Sequence, residues 1–206
     1  MIMAKIKLTK NELKKQRDNL KRFTRYLPTL ELKKRQLIQE VRKIQDRIEE
    51  IERAIEQMEI EVFQWVDVFA EEVDWPDFFR VGEVITEQGN IAGIDIPIFQ
   101  DVVFEDLQYD FFRTPLWVDR GIEAAKIHIW RKAELRIAEE QRDILREELR
   151  ITIQRIKLFE EIKIPDAREN IKTVQIFLGD QQTAEMVRGK IAKTQIEKKR
   201  RELKQV

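Results

Sequence analysis

The chain has 206 residues, of which 38% are charged and 42% hydrophobic, with six glycines, five prolines, one histidine and no cysteine. These counts exclude a disulfide framework, a thiolate metal site and any multi-histidine metal centre. Thirty-nine basic residues balance thirty-nine acidic ones, and no stretch approaches about 18 uncharged apolar residues, so no segment is expected to span a membrane. The start, MIMAKIKLTKNELKK, lacks the apolar core of a signal peptide, which points to a cytoplasmic chain. A composition rich in Glu, Lys, Arg, Leu and Ile with few breakers is that of long helices. The zero net charge hides a pattern. Residues 1–43 carry 14 Lys/Arg against 4 Asp/Glu, residues 44–125 carry 5 against 21, and residues 126–206 carry 20 against 14.

The first predicted element is a helix from about Thr9 to about Glu72, on the order of 90 Å long. Leu37, Val41, Ile44, Ile48, Ile51, Ile55, Met58, Val62, Trp65 and Phe69 follow one another in steps of four and three. This is an unbroken heptad seam, which demands a partner helix. Carried backward, the same steps give Lys34, Leu30, Leu27, Phe23, Leu20, Gln16, Leu13, Thr9 and Ile6. Pro28 lies inside this run, and a proline removes one backbone donor, so a kink or restart is expected near Tyr26–Thr29.

Residues 74–117 have different chemistry. They hold three of the six glycines (Gly82, Gly89, Gly93) and three of the five prolines (Pro76, Pro97, Pro115) among many Val, Ile and Phe residues. Val81–Thr86 and Ile91–Phe99 flank Glu87-Gln88-Gly89-Asn90, which predicts a β-hairpin turning at Gly89-Asn90. Pro97 requires an edge strand. A lone hairpin is marginal in water, so Trp75, Phe78, Phe79, Phe104, Phe111, Phe112 and Trp117 are expected to anchor it on the helix ends.

The second long helix starts near Asp119. Its apolar stripe (Ile122, Ala125, Ile129, Ala133, Ile137, Ile144, Leu145, Leu149, Ile156, Phe159, Ile162, Ile171, Val174, Leu178) drifts and is wider than strict heptads. Pro165 is a second expected breaker, and Gly179 and Gly189 weaken the distal part. The fold class is therefore mainly α, a long antiparallel two-helix coiled coil with a small β-hairpin insert at the middle of the chain. Its divisions are 1–73 for the N-terminal helix, 74–117 for the hairpin insert and 118–206 for the C-terminal helix.

Little in the sequence supports catalysis. Gly189-Lys190 has no glycine five residues before it and no Ser/Thr after it, so it fails the phosphate-loop spacing. His128 has no second histidine. Glu49-Glu50 and Glu71-Glu72 read as a solvated helix face rather than acid/base pairs. The basic run Lys198, Lys199, Arg200, Arg201 lies near a terminus, and interleaved acidic residues do not suit sustained phosphate neutralisation. No catalytic, cofactor-binding or metal residue is assigned, and neither nucleic-acid binding nor direct membrane insertion is expected.

Four stretches resemble the D-subunit family of V/A-type ATPases, in its bacterial V-type branch. They are NIAGIDIPIF (Asn90–Phe99), YLPTLELKKRQL (Tyr26–Leu37), KLFEEIKIPDARENIK (Lys157–Lys172) and IFLGDQQTAEMVRGKIAK (Ile176–Lys193). The resemblance implies a non-catalytic central-stalk rotor. Its paired termini would enter the hexamer of A and B subunits, its hairpin end would point toward the membrane rotor, the F subunit would bind its flank, and a socket subunit on the proteolipid ring would take its foot. The candidate A/B contacts are Lys10, Lys14, Arg17, Lys21, Gln181, Gln182, Arg188 and Lys190. The candidate hairpin and foot contacts are Ile91, Gly93, Ile94, Pro97 and Phe99. Helix, hairpin, helix is also the order of a prefoldin-like chaperone subunit, which stands as the competing reading, with a generic coiled-coil tether as the third.

Overall fold

The computed structural model describes residues 6–66, 78–107, 114–115 and 117–202. In chain order the elements are α1 (Lys10–Val66), β1 (Phe79–Ile91), β2 (Ile94–Asp106), α2 (Val118–Lys157), a six-residue π-helical turn (Leu158–Lys163) and α3 (Ile164–Glu202). The predicted seam residue Phe69, with Glu71, Glu72, Trp75, Phe111 and Phe112, lies outside the described residues. The chain divides into two compact units, Leu32–Thr152 and Met1–Glu31 with Ile153–Val206.

In the unit Leu32–Thr152 the heptad seam is buried as its spacing demands. Leu37, Ile44, Ile48, Ile51 and Ile55 of α1 are each at most 7% exposed and form one cluster with Ala138 and Leu145 of α2. Each buried Leu or Ile contributes roughly 1.5–3 kcal/mol, so this cluster is the main source of stability here. The helices run antiparallel, as the ion pairs along their margin record. Lys33 pairs with Glu148 at 2.8 Å and Arg47 with Glu134 at 2.8 Å, while Glu59 lies 3.7 Å from His128 and 3.9 Å from Lys132.

The hairpin exists, but its turn is elsewhere. β1 and β2 pair antiparallel from Phe79↔Asp106 to Ile91↔Ile94, so Glu87, Gln88, Gly89 and Asn90 are strand residues and the turn is Ala92-Gly93. Both turn residues have positive φ, 53° and 77°, as the two-residue hairpin turn that matches strand twist requires. Asn90 stabilises it by accepting the Gly93 N–H at 3.0 Å and donating to Asp95 at 2.7 Å. Gly89 serves another purpose. A Cβ there would come 2.2 Å from Ile98 Cδ1, so glycine makes room for a cross-strand side chain. Pro97 is tolerated because a two-stranded sheet consists only of edges.

Two attachments hold the hairpin down. Ile96, 2% exposed, joins the α1–α2 cluster with Ile91 and Ile94 packed beside it. At the other end Phe78 and Phe79 pack with Val118 and Ile122 of α2, flanked by Phe104, Trp117, Ala125 and Ile129. Lys126 lies 5.8 Å and 5.9 Å from the Phe79 and Phe104 ring centres and pairs with Asp106.

The second unit opens at a capped helix start. Thr9 Oγ1 accepts the Glu12 N–H at 3.2 Å, which satisfies one of the donors a helix start leaves open. Leu13, Gln16, Leu20, Phe23, Leu27 and Leu30 are all half-buried. Phe23 meets Phe159 at 5.1 Å between ring centres, and Ile156, Ile164, Ala167 and Val174 complete the buried stripe. The expected restart at Pro28 does not occur, since α1 is continuous through it. Thr24, whose carbonyl loses its partner to the proline, is exposed, so water replaces the missing bond while the flanking leucines hold the helix. Pro165 does not end the helix either. The π-helical turn just before it, closed by Ile164 N–H reaching the Phe159 carbonyl five residues back, gives the proline ring room that a regular turn denies.

Candidate functional site

Lys10, Lys14, Arg17 and Lys21 each follow a seam position, Thr9, Leu13, Gln16 and Leu20, by one residue. That phase puts all four on one flank of α1, and all four are exposed. Arg17 and Lys21 line a shallow hollow with Leu20, Thr24 and Arg25. Among the described residues none of the four forms an ion pair, so their charge is open to a neighbour.

The C-terminal candidates occupy a different environment. The last seam residues of α3 are Val174, fully buried, and Leu178, half-buried. From Gly179 to Lys198 every residue is exposed, including Met186 at 65%, Val187 at 51%, Ile191 at 54% and Ile196 at 56%. Given the antiparallel pairing at Phe23–Phe159, α1 begins too late to cover these turns. Gln181, which bonds Glu185 at 3.2 Å, and Gln182, Arg188 and Lys190 therefore sit on a length of helix that is exposed throughout. The structure does not bring them alongside Lys10–Lys21. The two sets follow one another along the same unit. The exposed Met186, Val187 and Ile191 were missed in the sequence, although their loss of the three-and-four spacing after Leu178 is a readable signal.

The hairpin candidates are mostly turned inward. Ile91 and Ile94 pack on the α1–α2 cluster. The Pro97 carbonyl accepts the Gln141 side-chain amide, and Phe99 meets Trp130 edge-on at 4.9 Å. Gly93 alone, at the turn, is exposed. The hairpin's exposed apolar side chains are instead Val81, Val84, Ile85, Ile98 and Val103, each 39–49% exposed, of which Val84 and Ile98 line grooves against the helices.

Between β2 and the helices lies a groove of about 710 Å3 lined by Ile96, Ile98, Phe99, Gln141, Arg47 and Glu134, among others. Its polar side is already neutralised. Glu134, 5% exposed, accepts from Arg47 at 2.8 Å and from Arg131 at 3.0 Å. His128 is half-buried beside Glu59. On the surface of α2 a hydrogen bond from Arg142 holds the Asp143 carboxyl below its ordinary value, and one from Arg150 does the same for Glu147. Both pairs favour the folded state at neutral pH, a contribution that fades as pH falls through the lowered carboxylate values. No group of three or more metal-ligating side chains occurs among the described residues. None of the described helices is long and apolar enough to cross a membrane.

Comparison with known proteins agrees with this picture. A family model described as the D subunit of ATP synthase matches residues 12–194. The V-type ATP synthase D subunit of Borreliella burgdorferi is 48% identical over 201 residues, which is 97% of this chain and 98% of the relative. Proteins of the same description from Chlamydia muridarum and Chlamydia caviae are 33% and 31% identical, covering 94% and 97% of this chain and 97% of each relative.

Proposed function

This chain belongs to the D-subunit family of ATP synthases, and on that premise we propose that it is the non-catalytic central shaft of a V-type ATP synthase. In this role it carries torque between the A/B hexamer, where nucleotide is handled, and the ion-translocating ring, as a peripheral part of the complex on its cytoplasmic side. The F subunit and a socket subunit on the proteolipid ring are its remaining partners. The observation that supports this reading most directly is the uncovered length of α3 from Gly179 to Lys198. A helix whose apolar side chains stay this exposed among the described residues suits a surrounding partner.

The mechanism follows from the seam. Twisting a packed helix pair unpacks interdigitated side chains, so it resists torsion where a single helix would not. A shaft without three-fold symmetry touches the three A/B interfaces differently. Each contact biases a different conformation of its neighbour, and rotation becomes a cycle of population shifts. Lys10, Lys14, Arg17, Lys21, Gln181, Gln182, Arg188 and Lys190 supply many modest contacts rather than one anchor, because a single tight contact would stall rotation. Gly93 and the outward face of the hairpin serve the foot.

Two measurements test this. The chain should co-purify with A and B subunits at one copy per three A/B pairs; a hexamer that binds unfolded protein would instead establish the chaperone reading. Reversing charge at Lys10, Lys14, Arg17, Lys21, Arg188 and Lys190 together should lower ATP-driven rotation about tenfold or more, since each exposed pair contributes only about 0.2–1 kcal/mol. Unchanged hydrolysis and assembly would refute the bearing.

A further inference from the structure

In the unit that holds both ends of the chain, the buried stripe of the second helical arm keeps steps of three and four except at one place. Ile156 and Phe159 are followed by Ile164, a step of five, after which Ala167, Ile171, Val174 and Leu178 resume the regular spacing. One residue more than the heptad needs lies between Phe159 and Ile164. The π-helical turn Leu158–Lys163 carries it, since a turn closed by a bond five residues long accommodates an inserted residue without moving the seam on either side.

The sequence pins the insertion there. Moved toward the N-terminus past Ile156, it would put Glu160 and Lys157 in the places of Phe159 and Ile156. Moved toward the C-terminus, it would put Lys163 and Asp166 in the places of Ile164 and Ala167. Either shift buries charge in an apolar seam. Pro165 closes the C-terminal side as well, because it has no N–H to complete a regular turn.

The turn is nevertheless weakly held. It contains no buried residue, Leu158 and Ile162 are 39% and 38% exposed, and Phe159 meets the Phe23 ring. Its hydrogen bonds follow a pattern that helices adopt rarely, and the added residue unwinds the local supercoil. We propose that this turn is the compliant joint of the helix pair, the place that yields first under twist. The proposal rests on the shaft reading for its purpose but not for its physics.

The test is amide hydrogen exchange on the full chain, in the wild type, in Pro165→Ala, and in Pro165→Ala with Glu161 deleted, so that no proline ring is forced into the regularised turn. The deletion restores three-and-four spacing through the seam. In the wild type, amides of residues 161–164 should exchange about tenfold faster than those of 152–157 and 167–172. Deletion should remove that difference while helix content is kept. Deleting Gln175, an exposed residue in a regular turn, should instead break the seam and lower stability. In the assembled complex, angular fluctuations of a bead-labelled, arrested rotor should narrow on deletion of Glu161. Uniform exchange in the wild type, unfolding of the deletion variant, or unchanged fluctuations would each overturn the joint. Failure of the chain to assemble with A and B subunits would refute the shaft reading instead, and the exchange comparison on the free chain would still decide the local claim.

Discussion

Thr152 is fully buried, and its hydroxyl has no hydrogen-bond partner among the described residues. Burying an unsatisfied hydroxyl costs roughly 1–3 kcal/mol by mutational measures, and valine has the same shape without that cost. Thr152→Val should therefore raise stability by about 1 kcal/mol in urea unfolding. Glu134 presents the opposite case. Its carboxylate is buried while Arg47 and Arg131 keep much of their surface in water, 64% and 40% exposed. Removing the carboxylate lets both arginines rehydrate. Removing the arginines leaves a buried charge alone, which costs about 3 kcal/mol or more. The double variant Arg47→Met, Arg131→Met should accordingly destabilise more than Glu134→Leu, and equal losses would show that Glu134 is wetter than its exposure implies. Glu134 was not legible in the sequence, because a glutamate in a charged helix reads as solvated until the facing arginines are placed. The four exposed cations of the N-terminal helix were legible, because the seam fixes their phase.

At the scale of elements, α1 was the most readable part of the chain. Its apolar spacing is regular enough that each described seam residue from Leu37 to Trp65 is buried or half-buried. The hairpin was legible as a hairpin but not in its register. Gly89-Asn90 and Ala92-Gly93 compete for the turn, and the structure places it at Ala92-Gly93, where the Asn90 side chain bonds Gly93 and Asp95. Ala92 holds a positive φ that a Cβ disfavours. Ala92→Asn, which gives the Asn-Gly pair that this turn prefers, should stabilise by about 0.5–1 kcal/mol in thermal unfolding. Gly93→Ala should cost about 1 kcal/mol at φ 77°. Neither helix proline stops the helical run, since α1 continues through Pro28 and a π-helical turn takes up the interruption before Pro165. Local cost is a few kcal/mol, and long seams on both sides outweigh it. From Leu145 onward the drifting stripe of the second helical arm is a heptad interrupted by one added residue, and before it the stripe widens because α2 packs on both the hairpin and α1.

For the whole molecule, the charge division along the sequence fits a chain whose surface is addressed to several neighbours rather than to one substrate. The uncovered end of α3 marks where folding stops being the chain's own affair. Ending the chain after Leu178 removes no buried side chain among the described residues. Such a truncation should leave the thermal midpoint of the free chain within about 2 °C of the full-length value, since a midpoint moves only as far as the folding free energy changes. The same truncation should abolish coupled rotation in the reconstituted complex, and full activity would sink the proposed role of this end. The arrangement also bears on how copy number is kept in line. A surplus copy, folded but unassembled, displays Met186, Val187, Ile191 and Ile196 on a helix near its terminus, the kind of tail on which proteases initiate. An unassembled copy should therefore show a shorter half-life than an incorporated one in a pulse-chase measurement.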